Sequence, residues 1–202
     1  LVPINVRGMW IGTFHGLCNR LLRAHYREAG LPQTFQILDS ADQLAMVKRL
    51  LKNLNVDDEK YPPRELCQFI NVHKEQGIRA AQAEVYDNYT QKRVDLYVEY
   101  ENQCNREGVV DFAELLLRCY ELLQRNEPLR KHYQDRFRYI LVDEVQDTNK
   151  LQYAWLQLLA GGGASIFAVG DDDQSIYRFR GAEVGYMREF QRECGGDNVL
   201  RL

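Results

Sequence analysis

Residues 139–181 read YILVDEVQDTNKLQYAWLQLLAGGGASIFAVGDDDQSIYRFRG, and this stretch decides the fold. Residues 139–142 form a continuous apolar run, which is typical of a strand buried on both faces of a parallel sheet. A second apolar run, at residues 165–169, follows a helical segment that a glycine run at residues 161–163 ends. The apolar positions of that helical segment are Leu151, Trp155, Leu158 and Leu159. The pattern predicts an α/β fold with two parallel strands joined by a helix.

Each predicted strand stops abruptly at acidic residues. Asp143 and Glu144 follow the first strand, and Gly170-Asp171 follows the second. Because ligands bind outside the carboxyl ends of strands in open α/β sheets, we expect both acidic groups at one edge. Carboxylates there suit Mg²⁺, with Asp143 as its ligand and Glu144 as the base for a water that attacks a phosphoryl group. The alternative, that Asp143 only caps the following turn or helix, stays open on these residues alone.

Two longer strings extend this pattern. VDEVQDTN at residues 142–149 and VGDDDQSIYRFRGA at residues 169–182 resemble motifs II and III of the UvrD/Rep/PcrA family of superfamily 1A DNA helicases. GTFHGLCNRLLRAH near the start and VVDFAELLLR in the middle carry the resemblance over essentially all 202 residues. The resemblance implies a partial RecA-like parallel sheet, the incomplete motor subdomain 1A, with an inserted all-helical subdomain called 1B.

The same resemblance implies a division of the chain and an activity. Residues 1–16 would end the first segment of 1A with motif Ib, residues 17–108 would form 1B, and residues 109–202 would return to 1A with motifs II and III. The activity would be that of an ATP-driven motor that uses Mg²⁺, moves 3′ to 5′ along single-stranded DNA and unwinds duplex in DNA repair. Its partners would be single-stranded DNA, duplex junctions and DNA-repair proteins, in the bacterial cytoplasm at the nucleoid.

The resemblance also assigns residues to the nucleotide site. Asp143 would bind Mg²⁺, Glu144 would be the general base, and Gln146 and Gln174 would contact the nucleotide or its water. Arg180 would link the nucleotide site to DNA. Val145 departs from the aromatic residue that the family often has after the Asp-Glu pair, which we interpret as a packing change.

The loop after the second strand offers a route from nucleotide to DNA. Gln174 is placed to sense a terminal phosphate, and the rings of Tyr177 and Phe179 follow within a few residues. Stacking of a base on such a ring is worth about 1 to 3 kcal/mol, which is enough to hold or release a strand as the loop shifts. Without the flanking match, core packing is the better reading of both rings. Phe179 stands where the family usually has Trp, so we expect a weaker grip on DNA.

The first thirty residues carry the most basic block. Thr13-Phe14-His15-Gly16 leads from the predicted end of a strand at residues 9–12 into a helix with an arginine stripe: Arg20, Arg23 and Arg27. Such a stripe suits DNA phosphates, and a solvated helix face is as good a reading from spacing alone. The family's motif Ib, which lies against single-stranded DNA, favours DNA contacts for Thr13, Phe14, His15, Arg20 and Arg23. We assign His15 no acid–base role.

The middle of the chain, residues 31–108, has helical spacing throughout. Ser40-x-x-Gln43 fits a capping box, and a long helix is predicted from about residue 86 to residue 106 with Gly108 as its stop. Tyrosines beside arginines in that helix either stack on bases or cover the helical core, and the second reading is favoured. Asp111 is predicted to cap the next helix.

Composition sets limits on partners. The net charge is −3, hydrophobic residues make up 45% and charged residues 27%, so any DNA surface must be a local patch on an ordinary globular protein. No apolar run reaches the ~18 residues of a membrane span. The five cysteines are scattered without a Cys-x-x-Cys pair, and we interpret them as buried thiols in a reducing cytoplasm.

A nucleotide motor also needs a phosphate loop, GxxxxGK[ST], and this sequence has no Gly-Lys dipeptide. The family places that loop upstream of the region matched here. We therefore expect an internal fragment of a helicase. The alternatives are that the 202 residues alone are a non-catalytic DNA- or partner-binding module, or that the parent is a Rep- or PcrA-type or helicase-nuclease relative.

Overall fold

The protein is a mixed α/β structure with two separate pairs of parallel strands. The structure, a computed structural model, describes residues 8–170 and residue 192. The helices are α1 Phe14–Ala24, α2 Ser40–Asn53, α3 Pro63–Glu75, α4 Asn88–Glu107, α5 Phe112–Arg125, α6 Glu127–Arg136 and α7 Lys150–Ala160. The strands are β1 Gln36–Leu38, β2 Val109–Asp111, β3 Tyr139–Val142 and β4 Ser165–Ala168, and 3₁₀ turns lie at Ala80–Gln82 and Val145–Asp147.

The β3–α7–β4 unit confirms the central prediction. The two strands pair in parallel with Tyr139 opposite Ser165 and Val142 opposite Ala168. Backbone hydrogen bonds continue beyond the strands: Val169 N donates to Val142 O at 2.8 Å, and Val145 N donates to Val169 O at 3.0 Å. The carboxyl ends of both strands therefore meet at one edge, as expected for a parallel pair joined by a helix.

The prediction that the first strand, residues 139–142, is buried on both faces is wrong for the described residues, and the second strand is exposed on the same side. Tyr139 is 77% exposed, Leu141 80% and Phe167 69%, whereas Val142 and the half-buried Ile140 face the core. Side chains alternate between the two faces of a strand, and only one face of this sheet is covered by the described helices.

A first hydrophobic core lies beneath that covered face and joins α1, α5, α6 and α7. Trp155 of α7 is buried at its centre, where its indole N–H donates to Cys119 Sγ at 3.3 Å. Residues 9–12 are irregular rather than a strand end, and the Trp10 ring packs edge-on against Tyr133 and Phe137. Helix α6, which the sequence did not predict, supplies Tyr133.

A second hydrophobic core is formed by α2, α3 and α4. Tyr97 and Tyr100 of α4 are fully buried in it, which confirms for these two rings that they cover the helical core. Gly108, at φ +66°, ends α4 as predicted, because only glycine reaches the left-handed region without strain. The cap of α2 is Asp39, whose carboxylate accepts from Asp42 N at 2.8 Å, rather than the predicted Ser40.

Strands β1 and β2 form a short parallel pair that corrects the prediction of helix throughout residues 31–108. Gln36 lies opposite Val109, and Leu38 lies opposite Asp111. After β1 the chain forms the helices of the second core, and through β2 it returns to the first core. Asp111 then caps α5 as predicted, its carboxylate accepting from Glu114 N at 2.7 Å.

A buried charge cluster joins the two cores, and we define it by Lys74, Arg79, Asp111 and Glu114. Lys74 Nζ lies 2.8 Å from Asp111 Oδ2 and 2.9 Å from Glu114 Oε2, and Arg79 forms a bidentate pair with Glu114 at 2.7 and 2.8 Å. Lys74, Asp111 and Glu114 are each at most 3% exposed. Opposite charges surround each buried charge, which offsets the loss of water.

Two further predictions concern cysteines and membranes. Cys18, Cys67, Cys104 and Cys119 are buried free thiols, as predicted, and Cys194 lies outside the described residues. Within residues 8–170, no helix has the length and apolar content needed to cross a membrane.

Candidate active site

The acidic turn after β3 presents two carboxylates to solvent. Asp143 and Glu144 are both exposed, and Asp143 Oδ1 accepts from Glu144 N at 3.0 Å. Glu144 adopts the left-handed conformation, with φ 52° and ψ 46°. A non-glycine residue in this region is uncommon and strained, and such residues are frequent at functional sites.

Gln146 occupies the next turn and is buried, with 6% of its surface exposed. It belongs to the 3₁₀ turn Val145–Asp147, and its amide Nε2 donates a short hydrogen bond to Glu144 Oε2. The side chain that was expected to contact a nucleotide is therefore packed beneath the carboxylate of Glu144.

Helix α7 has its own cap, which bears on the alternative role of Asp143. Asn149 Oδ1 accepts from Gln152 N at 2.9 Å, and Gln152 Oε1 accepts from Asn149 N at 3.1 Å, which is a complete capping box. Asp143 therefore does not cap this helix, and its carboxylate remains at the exposed edge of the sheet.

The end of β4 approaches the acidic turn closely. A Cβ atom added to Gly170 would lie 2.5 Å from Gln146 Oε1 and 2.7 Å from Val145 Cγ1. Sequence reasoning assigned Gly170 no role, although a glycine directly after a strand is a signal of close backbone approach. Gln174, Tyr177, Phe179 and Arg180 lie outside the described residues.

The amino-terminal residues expected at DNA hold α1 in place. Thr13 caps the helix, its Oγ1 accepting from Gly16 N at 3.1 Å, and Phe14 packs edge-on against Trp155 at 5.9 Å between ring centroids. His15 lies edge-on to Phe112, and burial lowers the pKa of His15. A neutral imidazole at pH 7 brings no positive charge to a phosphate.

The arginine stripe is exposed and also bonded within the protein. The Arg20 guanidinium lies 4.1 Å from the centroid of the Trp10 ring. The Arg23 guanidinium lies 3.6 Å from the centroid of the Phe35 ring and donates to Phe35 O at 2.6 Å. Arg27 Nε donates to Tyr26 Oη at 3.1 Å. Guanidinium groups stacked on rings keep their charge and lose freedom of motion.

The chemistry that this edge can perform follows from its donor set. Exposed carboxylate oxygens are the ligands that Mg²⁺ prefers, and the ion usually retains waters and takes further oxygens from phosphates. Asp143 and Glu144 offer such exposed oxygens at the carboxyl end of the strand pair, the edge at which ligands bind in open α/β sheets. The two carboxylates are therefore of the chemical type that Mg²⁺ prefers.

Comparison with known proteins matches most of the chain to one protein family. The sequence model of the UvrD/REP helicase N-terminal domain matches residues 3–195. DNA helicase II of Escherichia coli strain K12 is 50% identical over 196 residues, which cover 96% of this chain and 27% of that protein. The probable DNA helicase II homolog of Rickettsia conorii is 40% identical over 204 residues, covering 98% of this chain and 31% of that protein.

A more distant relative extends the same match. ATP-dependent DNA helicase PcrA of Staphylococcus aureus strain Mu50 is 37% identical over 204 residues, which cover 100% of this chain and 28% of that protein. The chain thus spans between 27% and 31% of the length of these three relatives. With the family model matching nearly every residue, this chain belongs to the UvrD/REP helicase N-terminal domain family.

Proposed function

We propose that this chain is part of an ATP-dependent DNA helicase that moves 3′ to 5′ along single-stranded DNA and unwinds duplex during DNA repair. The observation that supports the proposal best is the meeting of Asp143, Glu144 and Gly170 at one edge of a parallel strand pair, in a chain of this family. We further propose that the protein works at the nucleoid in the bacterial cytoplasm.

The acidic turn is the proposed hydrolytic centre. Asp143 holds Mg²⁺, which neutralises phosphate charge when bound, and Glu144 accepts the proton of the attacking water. Gln174 senses the terminal phosphate, and Arg180 links the nucleotide site to DNA. The exposure of both carboxylates beside the buried Gln146 supports the roles of Asp143 and Glu144.

The proposed DNA contacts lie on two segments. Thr13, Phe14 and His15 with Arg20 and Arg23 line one contact at the start of α1, and Tyr177 and Phe179 stack on bases at the other. The exposure of the arginine heads supports the first contact. Because Arg23 is also bonded to Phe35 O, it would orient the strand without leaving its position in the fold.

The subdomain assignment is part of the same proposal. Residues 1–16 and 109–202 belong to motor subdomain 1A, and residues 17–108 belong to helical subdomain 1B. The separate core of α2, α3 and α4 supports this division, although α1 packs in the first core with α5 and α7. The buried charge cluster would then hold 1B to 1A.

The decisive test is replacement of Glu144 by Gln in the longer protein that carries this chain. We expect ATP turnover in the presence of DNA to fall roughly 10² to 10⁴-fold, the usual contribution of a general base. Glu127→Gln on α6 removes an equivalent exposed carboxylate and should leave turnover unchanged. Unchanged turnover in Glu144→Gln would remove the hydrolytic role of this edge.

A second candidate function concerns the 202 residues by themselves. The absence of a Gly-Lys dipeptide from the sequence favours a non-catalytic DNA- or partner-binding module when this chain is purified alone. We expect no ATP turnover from the chain, and salt-sensitive binding of labelled single-stranded DNA measured by anisotropy. ATP turnover that co-purifies with the chain and is lost in Glu144→Gln would contradict this candidate.

A further inference from the structure

The contact between the end of β4 and the acidic turn positions a side chain as well as the backbone. Val145 N donates to Val169 O at 3.0 Å, so the turn is attached to the residue before Gly170. Gly170 itself has no positive φ that would require glycine, whereas its missing Cβ would fall 2.5 Å from Gln146 Oε1. Glycine at residue 170 therefore provides space for a neighbouring side chain and does not provide an unusual backbone conformation.

The space at Gly170 is filled by the amide of Gln146. This side chain is only 6% exposed, and its Nε2 donates to Glu144 Oε2. Val145 Cγ1 borders the same space, 2.7 Å from a Cβ added to Gly170, and Val145 is 4% exposed and packed in the first core. The amide group is thus confined between the backbone of β4 and the carboxylate of Glu144.

We propose that Gln146 and Gly170 are positioning residues for Glu144: the Gln146 amide aims the Glu144 carboxylate, and the bare backbone at Gly170 keeps that amide in place. This inference rests on the proposed function of Glu144 as general base. It differs from the expectation that Gln146 contacts the nucleotide, because Gln146 now acts through Glu144 and does not touch the substrate.

The need for such positioning follows from the exposure of Glu144. A glutamate at the surface samples several rotamers, and proton transfer requires its oxygen within hydrogen-bond reach of the attacking water. A misplacement of about 1 Å lowers turnover roughly 10²-fold in well-organised sites. A donor that is itself buried restricts the carboxylate more firmly than a solvated donor, because the buried group has little freedom to move.

The arrangement also implies communication between the two strand ends. The chain continues from Gly170 into the DDDQ string at residues 171–174, which carries Gln174. Because Gly170 touches Gln146 and Gln146 touches Glu144, a displacement of the backbone at Gly170 reaches the catalytic carboxylate through two contacts.

The test is a double-mutant cycle in the longer protein that carries this chain. Gln146→Met keeps an unbranched side chain of similar volume and removes the amide donor. Gly170→Ala adds a methyl group that displaces the amide and also presses on the Val145 side chain. We expect each variant to lower kcat for ATP roughly 10 to 100-fold with KM for ATP within a factor of about two, because ground-state binding is untouched. The double variant should be no worse than the poorer single variant, because both changes remove one interaction.

The matched control is Gly163→Ala. Gly163 lies in the turn before β4, and an added Cβ there meets nothing within 4 Å. We expect its kcat and melting temperature to equal those of the wild type. Melting temperatures of Gln146→Met and Gly170→Ala, measured alongside, should show that both variants are folded at the assay temperature.

The outcomes separate this inference from the proposed function. If Glu144→Gln abolishes turnover while Gln146→Met retains wild-type kcat, the positioning role is overturned and the base remains. Multiplied losses in the double variant overturn the link between Gly170 and Gln146. If Glu144→Gln turns over normally, the proposed function fails, and the positioning role fails with it.

Discussion

Lys74 Nζ and Asp111 Oδ2 lie 2.8 Å apart, and both side chains are 2% exposed. Lys74 comes from α3 in the second core, and Asp111 caps α5 in the first core. The pair therefore spans the junction of the two cores, where Glu114 also pairs with Lys74, Arg79 and Arg118. Removal of one partner leaves an uncompensated charge away from water, which is far more destabilising than loss of a surface pair.

The first prediction concerns Lys74→Met. We expect the free energy of unfolding to fall by about 3 to 5 kcal/mol, because Asp111 and Glu114 stay buried without their lysine. Urea denaturation followed by circular dichroism measures the change. The control is Arg49→Met, which breaks the surface pair with Glu107 and should cost less than about 1 kcal/mol. Equal losses of unfolding free energy in the two variants would show that the buried charge cluster contributes no more to stability than a surface ion pair.

The second prediction concerns pH. Burial by itself raises the pKa of the Glu114 carboxyl, but the charges of Lys74 and Arg79 outweigh burial and hold that pKa well below its usual range. In the unfolded chain the pKa of a glutamate carboxyl is ~4.3. A depressed folded-state pKa contributes stability that is present above the unfolded pKa and is lost as pH falls through the folded pKa.

We therefore expect the free energy of unfolding to decrease progressively below a pH of about 5. Glu114→Gln removes this titration, so its stability, although lower at pH 7, should fall less steeply over the same interval. Urea midpoints measured at intervals from neutral to acidic pH give the two slopes. Identical slopes in the two proteins would place the acid sensitivity elsewhere.

The third prediction exploits the strained backbone of Glu144. Left-handed geometry costs an L-residue about 1 to 2 kcal/mol, and glycine adopts it without strain but loses more freedom on folding. We expect Glu144→Gly to unfold no more easily than the wild type, with a gain of up to about 1 kcal/mol, while ATP turnover is lost. Glu99→Gly, within α4, should instead cost about 1 kcal/mol. A large loss of stability in Glu144→Gly would mean that its side chain is structural.

The fourth prediction separates the arginines of α1. Arg20→Ala should weaken binding of single-stranded DNA and reduce the slope of log affinity against log salt by about one, because one phosphate contact is lost. Arg23→Ala should do the same and also lower the melting temperature, since its guanidinium donates to Phe35 O. Lys48→Ala on α2 is the exposed control and should change neither quantity. Affinities unchanged in all three variants would make the stripe a solvated face.

The sequence predicted β3, α7 and β4 well because their signal is local. An apolar run that stops at carboxylates, followed by a capped helix and a glycine stop, leaves few other structures. Strands β1 and β2 were missed because Gln36–Leu38 and Val109–Asp111 are three residues each, too short for a periodic pattern. Their pairing is between segments about seventy residues apart, which spacing along the chain does not encode.

Two side chains, one in the buried charge cluster and one in the candidate active site, have positions that the sequence alone did not predict. Lys74 follows Cys67 and Ile70 at helical spacing and so falls on the buried face of α3, but lysines are rarely buried, so residue type gives no signal for this position. Gln146 was expected at a nucleotide, and its burial against Gly170 depends on the tertiary approach of β4. Polar residue type alone does not distinguish a side chain that touches a ligand from one that supports its neighbour.

The pairing of β1 with β2 makes residues 39–108 a natural cassette for transplantation between homologues. The segment begins after Leu38 of β1 and ends before Val109 of β2, and these two strands are paired neighbours. A segment from a homologue therefore needs only to span the short distance between the two strands. Yet the donor segment must bring its own counter-ion for Asp111 and Glu114, because Lys74 and Arg79 travel with the cassette. Chimeras that lack such cations would leave Asp111 buried without a cation and Glu114 paired with Arg118 alone.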